Sequence, residues 1–292
     1  MIKEGKTNVK KHISTIIVVV IFLCGLSLFL YPTISNMYNE YLNKKLIGEY
    51  KDAFDNIKPE QSKAAKEDAV LFNENRKNEQ KLKELGLTYE NVLNVLDNGI
   101  MGYIEIPKIN VSLVIYHSID ENLLQKGIGH VEDSDLPIGG ENTHCVLAGH
   151  TGLPSANLLT NIDHLDMGDV FYIHVLDEVL EYRIDSITVV LPHEVEHLGV
   201  VSGEDHVTLV TCTPYGVNSH RLLVRGKRVA EGDMTYDGVG VTNEIDSIDM
   251  RYLITVSLVG LIIIGFAVFK LNKLRKKRKK RKAVTRRPYD KT

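Results

Sequence analysis

The sequence predicts a mainly β domain folded as a closed or nearly closed barrel, with helices ahead of it and an apolar segment on either side. Three observations carry this. From Gly99 the chain turns into short β-rich stretches broken by Gly, Pro, Asn and Asp, six or more strands over about 130 residues, with no regular helices between them. Between about Ser35 and Leu96 strand signals are absent, and apolar residues recur at helical spacing. Ile13 to Tyr31 and Tyr252 to Phe269 hold no charged residue, and each approaches the ~20 residues that cross a bilayer.

Taken in order, residues 1–12 form a basic N-terminus and 13–31 a first membrane-spanning helix. A cleaved signal peptide is the rival for that segment. Its apolar run exceeds the usual ~7–15 residues and no small-x-small site follows it, which favours a retained anchor. Residues 32–98 read as two or three amphipathic helices on one side of the barrel. Tyr38, Tyr41, Leu42, Ile47 and Tyr50 make one helical series, and Leu82, Leu85, Leu87, Val92, Leu93 and Val95 another. Pro59 breaks the pattern, and Ser62 with Glu67 nearby marks a fresh helix start.

Residues 99–230 hold the barrel. MGYIEIPKI, VSLVIY, HCVLAGH, DVFYIHV, VLEYRIDSITVV, HVTLVTC and RLLVRGKRV are its strands, GIGHVEDSDLPIGGEN is a long polar loop, and Asn157 to Asp163 is a helical turn. Residues 231–251, polar and Gly-containing, read as a tether, 252–269 as a second membrane-spanning helix, and 270–292 as a basic tail.

The two ends carry 17 of the 35 basic residues and only Glu4 and Asp290 of the 38 acidic ones. The positive-inside bias therefore puts both ends in the cytoplasm and the middle outside, in a chain whose overall formal charge is only −3. The run Arg275 to Lys282 abuts an apolar segment, so anionic lipid headgroups are its expected partner; no aromatic or fold signal accompanies it, and nucleic acid is not expected.

Three cysteines do not make a disulfide framework. Cys24 lies in the first apolar segment. Cys145 lies five positions before His150, on the opposite face of a regular strand, and reads as a small buried residue. Cys212 stands where a strand ends, before the turn formers Pro214, Tyr215, Gly216 and Asn218. A thiolate is the reactive form of cysteine and a neighbouring cation favours it; Arg221 and Arg225 on the following strand supply such cations. Four positions apart, both face one side of a regular strand. His150, after another apolar strand and at the head of a Gly/Pro loop, is a candidate base among 11 histidines.

Three blocks carry a resemblance: MGYIEIPKI at Met101 to Ile109, LPIGGENTHCVLAGHTGLP at Leu136 to Pro154, and TLVTCTPYGVNSHRLLVRG at Thr208 to Gly226. In this order and at these separations they resemble the sortases, Gram-positive cell-surface cysteine transpeptidases. The last two blocks are similar to the class C, pilin-assembling branch. The resemblance implies an eight-stranded barrel, with Cys212 as nucleophile, His150 in the GHTGLP block as proton donor and acceptor, and Arg221, directly after a His, as the catalytic arginine. It implies a groove lined by Thr151, Thr211, Thr213, Pro214, Tyr215 and Gly216. It also implies substrates carrying an LPxTG-like sorting signal on pilin or surface proteins, and an amine acceptor, either a pilin lysine or a peptidoglycan precursor. Class C sortases usually carry an Asp-Pro-aromatic lid over the groove. Here Pro59, between Lys58 and Glu60, is the only proline between Pro32 and Pro107, so that motif is missing. Phe54 and Phe72 are the residues that would plug the groove by another geometry.

Scattered Asp and Glu lack metal-ligand spacing, and neither metal nor cofactor is expected. Anchoring of surface proteins to peptidoglycan is the nearest alternative activity. A membrane-tethered binding barrel without catalysis is the alternative from another class, and it leaves the thiol, His and Arg blocks unexplained.

Overall fold

The computed structural model describes residues 5–236 and, beyond them, 257, 260 and 265. The chain divides into two compact units, residues 1–30 with 244–292, and Tyr31–Asn243. In the first, residues 5–30 belong to helix α1 (Gly5–Asp55). Residues 257, 260 and 265 are helical, and a Cβ on Gly260 would stand 3.0 Å from the Phe22 ring. Among the described residues one helix is long and apolar enough to cross a membrane, within Val20–Asp55. The expected tether from Asp237 onward, most of the second apolar segment and the basic tail lie outside the described residues.

The second unit is an eight-stranded closed barrel: β1 (Ile100–Ile106), β2 (Val111–Tyr116), β3 (Ile128–His130), β4 (Thr143–Ala148), β5 (Val170–Val175), β6 (Glu178–Val190), β7 (Asp205–Thr213) and β8 (His220–Arg228). Around the barrel the order is β1-β2-β3-β4-β7-β8-β6-β5, closing on β1. Closure leaves no unpaired edge at the β1–β5 seam, where Gly102 pairs with Val175. Gly102 is required there, since a Cβ would meet the His174 carbonyl oxygen at 2.3 Å.

Strand alternation sends Cys145, Leu147, Val207, Leu209, Leu222, Val224, Phe171, Ile173 and Tyr182 into one buried cluster inside the barrel. β1 is buried along its whole length, because its outer face is covered too. Ile47 and Tyr50 of α1 pack there on Ile100, Tyr103, Val114 and Tyr116, and the Tyr50 hydroxyl donates to Met101 O at 3.0 Å and accepts from Leu176 N at 2.8 Å. That explains why MGYIEI reads as a nearly continuous apolar run.

Several elements differ from the sequence expectation. The segment around Gly127 to Asn142, expected as a loop, contains β3, a three-residue strand pairing parallel with β2 and antiparallel with β4. So short a strand has no periodicity to read. Pro59 opens α2 (Pro59–Asn75) rather than only breaking a helix, since proline's missing N–H costs nothing at the first position. α3 (Glu79–Leu85) stops at Gly86, which takes φ +72 as a left-handed cap. Leu87 therefore follows the helix cap and Val92 and Leu93 lie in turns, none of them in a helix, yet all three are buried. With Ala69, Phe72 and Leu82 they belong to the main hydrophobic cluster. α1 runs unbroken through Pro32 to Asp55, where two helices were expected. A short helix, α4 (Glu121–Leu124), was not expected. The helical turn expected at Asn157 to Asp163 is a turn followed by a 3-10 helix at Ile162–His164. The barrel's packing also continues past 230: Thr235 N donates to buried Glu181 Oε2 at 2.5 Å, and Tyr236 packs on Tyr172 and His174.

Candidate active site

Alternation decides which side chains leave the barrel. On β7, Val207 and Leu209 point inward, so Thr208, Val210 and Cys212 point out. β8 pairs with β7 in antiparallel register, with Cys212 opposite Arg221 and Thr213 opposite His220. Directly opposed residues share a face with Cβ atoms roughly 4.5–5.5 Å apart, so thiol and guanidinium project side by side. Cys212 is half-buried and in no disulfide.

His150 arrives by a different route. β4 and β7 are parallel, with Ala148 level with Val210, and Gly149 N donates to Val210 O at 3.0 Å. Two residues further along each segment come His150, just past the end of β4, and Cys212, near the end of β7. The same arithmetic puts Cys145 inside the barrel, where burial raises its thiol pKa well above the usual value.

Arg221 and Arg225, four positions apart on β8, differ in their partners. Arg225 makes a two-pronged ion pair with Asp185, Nε to Oδ1 at 2.9 Å and Nη2 to Oδ2 at 2.8 Å. Arg221 makes no ion pair among the described residues; its Nη1 donates to the backbone carbonyls of His220 at 3.1 Å and Asn218 at 3.4 Å. Of these two, Arg221 is the guanidinium without a carboxylate, and it is the one opposite the thiol.

The turn beyond Cys212 is closed by Val217 N and Asn218 N donating to Pro214 O at 3.0 and 2.9 Å, with Gly216 at φ +74. The Thr213–Pro214 bond is cis. Tyr215 is exposed, and its ring lies over Gly152: a Cβ there would stand 3.0 Å from it. Pro214, Tyr215, Gly216 and Thr151 thus belong to two loops that meet beyond the ends of β4 and β7. Thr151 and Thr213 are half-buried. Thr211 departs from expectation. It pairs with core residue Leu222, is buried, and its hydroxyl has no partner. One residue from Cys212, it falls on the opposite face and does not line the groove.

A residue absent from the expectation stands beside His150. Glu121, on α4, places Oε2 3.2 Å from His150 Nε2. Asp120 and Glu121 ahead of an apolar pair are a helix-start signal, the only trace of α4 in the sequence. Phe54 and Phe72 pack against the buried clusters, with Phe54 ring to Tyr50 ring at 4.7 Å and Phe72 to Tyr89 at 6.4 Å. Phe72 is buried in the main hydrophobic cluster rather than open to the groove. No group of three or more His, Cys, Asp or Glu able to hold a metal occurs among the described residues.

Residues 104–229 match the sortase domain family. A sortase C1 from Streptococcus agalactiae superposes with a TM-score of 0.59 at 42% identity, covering 64% of this chain and 98% of that one. A Clostridium perfringens sortase C solved with the C-terminal cell wall sorting motif gives 0.56 at 40%, over 64% and 98%. Among curated relatives, sortase D of Bacillus subtilis is 30% identical over 131 residues, 44% of this chain and 63% of that protein. Sortase A of Streptococcus agalactiae is 27% identical over 139 residues, 47% and 56%. The chain thus spans about three-fifths of the length of these curated relatives. It belongs to the sortase family. Within that family it falls with the class C sortases, the group of its structural neighbours.

Proposed function

We propose that this chain is a membrane-anchored transpeptidase that cleaves an LPxTG-like sorting signal on pilin subunits and joins the acyl product to an amine. The observation that supports it most is Cys212 opposed to Arg221, with His150 at the adjoining strand end. The Cys212 thiolate attacks a peptide carbonyl carbon, the C–N bond breaks, and the departing amine takes a proton from the His150 imidazolium. Arg221 donates to the carbonyl oxygen as it gains charge; its free guanidinium can do so without first breaking an ion pair. The incoming amine, a pilin lysine, then attacks the thioester, gives its surplus proton to His150 and releases Cys212. The S. pneumoniae sortase C neighbour, 41% identical, is described in terms of pilin substrate specificity, which supports pilins as the substrate class.

The test is incubation of the chain with a sorting-signal peptide, read by mass spectrometry for a covalent adduct on Cys212. Release by a lysine-bearing pilin identifies the acceptor. Release only by a peptidoglycan-precursor amine would assign the chain to surface-protein anchoring, and no adduct would overturn the reading.

The proposed setting is a double-spanning protein with both ends cytoplasmic and residues 32–251 outside, its basic tail on anionic lipid. External protease on protoplasts should then spare a tag placed after Thr292; a digested tag would refute that topology.

A further inference from the structure

The chemistry above uses one face of His150 and leaves its Nε2 contact with Glu121 without a role. Resting on that reading, we infer that Glu121 is a positioning residue: its carboxylate accepts the Nε2–H of His150, sets the ring's orientation, and leaves Nδ1 as the nitrogen that exchanges protons at the thioester. Which ring nitrogen carries the proton is set by the hydrogen bond the other one makes. Glu121 is 66% exposed and His150 24%, so the pair adds little to stability and its effect is on geometry.

The support behind Glu121 shows that this contact is held in place. α4 is only four residues long and would drift by itself. Asn39 Nδ2 donates to Gln125 O at 2.9 Å and Asn43 Nδ2 to Lys126 O at 2.6 Å, pinning the end of α4 to α1. Asn43 Oδ1 also accepts from Val114 N at 3.0 Å, so α1 is tied to β2 at the same point. The loop carrying His150 is held by the same helix. Asn36 Oδ1 accepts from Asn157 N at 2.7 Å, and Leu159 N donates back to His150 O at 3.2 Å. Asn36, Asn39 and Asn43 are spaced three and four apart, one stripe on one face of α1. That stripe fixes the base's loop and the base's partner relative to each other. The N-terminal helix is thereby part of the machinery that orients His150, in a chain without the usual lid motif.

The test uses the full chain in detergent micelles, with a sorting-signal peptide and an amine acceptor. Glu121→Ala should lower kcat about tenfold with KM within about twofold, the signature of a misaligned base rather than lost substrate binding. Glu121→Gln keeps an acceptor oxygen and should recover to within about threefold of wild type. Asn39→Ala, which frees α4 without touching His150, should show a smaller kcat loss at unchanged KM. A second readout does not depend on turnover. Histidine-selective 15N spectra, assigned with His150→Gln, should show the neutral His150 ring protonated on Nε2 in wild type and a mixed tautomer population in Glu121→Ala. Wild-type kcat in Glu121→Ala, a raised KM at unchanged kcat, Gln as impaired as Ala, or an unchanged tautomer would each overturn the inference. If the wild type forms no acyl-enzyme yet the tautomer depends on Glu121, the transpeptidase reading falls and the positioning contact stands.

Discussion

Cys212 and Arg221 are directly opposed across the β7–β8 ladder, so thiol and guanidinium leave the barrel on one face. A slip of one residue in this register would send one of them into the core, which makes the pairing as strongly specified as the core itself.

From this follows a contrast between Arg221 and Arg225 of β8. Arg221→Ala should cut acylation about a hundredfold or more, and Arg221→Lys should also be poor because an ammonium lacks the planar donor fork. Arg225→Ala should keep substantial acylation and cost about 1 kcal/mol of stability, since it removes a half-exposed ion pair with Asp185. Timed mass spectrometry of the adduct with urea denaturation checks both. A folded but inactive Arg225→Ala would reverse the assignment.

The thiols should separate as sharply. Cys145 is enclosed by the barrel and held protonated by burial. Iodoacetamide at pH 8 should modify Cys212 and leave Cys145 untouched until the domain unfolds. Cys212→Ala should abolish the adduct, and Cys145→Ala should acylate normally with a stability loss of roughly 1–2 kcal/mol.

The helices ahead of the barrel are not a removable cover. Phe72, Leu82, Leu87, Val92 and Leu93 share one cluster with the barrel interior. A chain beginning near Leu96 should therefore fail to fold, as seen by lost near-UV dichroism, rather than expose a better-reacting Cys212. Phe72→Ala should cost about 3–5 kcal/mol. A folded, soluble barrel starting at Leu96 would show that the helices contribute little.

Stability should fall as the solution is acidified from pH 6.5. Burial lowers the His130 pKa to about 4; its ring meets the Tyr89 hydroxyl at 2.9 Å, Ser134 Oγ at 3.1 Å and Asp135 O at 2.9 Å, with the Arg76 guanidinium, the His117 ring and the Asp135 carboxylate nearby. Between about 6.5 and 4 the unfolded chain binds a proton that the native chain refuses, so stability is lost as pH drops through that window and the slope ends below it. The full loss from this group is on the order of 3 kcal/mol. His144 and His206, also lowered by burial, act in the same direction. Denaturation midpoints at pH 7 and pH 4.5, for wild type and His130→Gln, should show a shallower pH dependence in the variant; identical slopes would remove His130 from the account.

The strand–turn–strand from Thr208 to Arg228 was legible from local order alone. Alternation decides which residues share a face, and a short turn forces neighbouring strands to pair, so spacing brought Cys212 near Arg221 and Arg225 alike; only the resemblance chose Arg221, and the ladder register sets it opposite the thiol. Alternation also separated Cys145 from His150, and it places Thr211 inside the barrel, where the resemblance had put it in the groove. The parallel pairing of β4 with β7 was not written in any local pattern. Its partners lie about sixty residues apart, and parallel neighbours share no turn to reveal them. β3 and α4 are too short for periodicity, and Leu87, Val92 and Leu93 mimic helical spacing while packing from outside any helix. The chain's own order thus pointed to the barrel class, the candidate thiol and two candidate cations on one strand. Tertiary structure decided that His150 follows the end of the strand paired in parallel with β7, that Glu121 meets it, and that an asparagine stripe on α1 holds both, because each depends on contacts between segments distant in sequence.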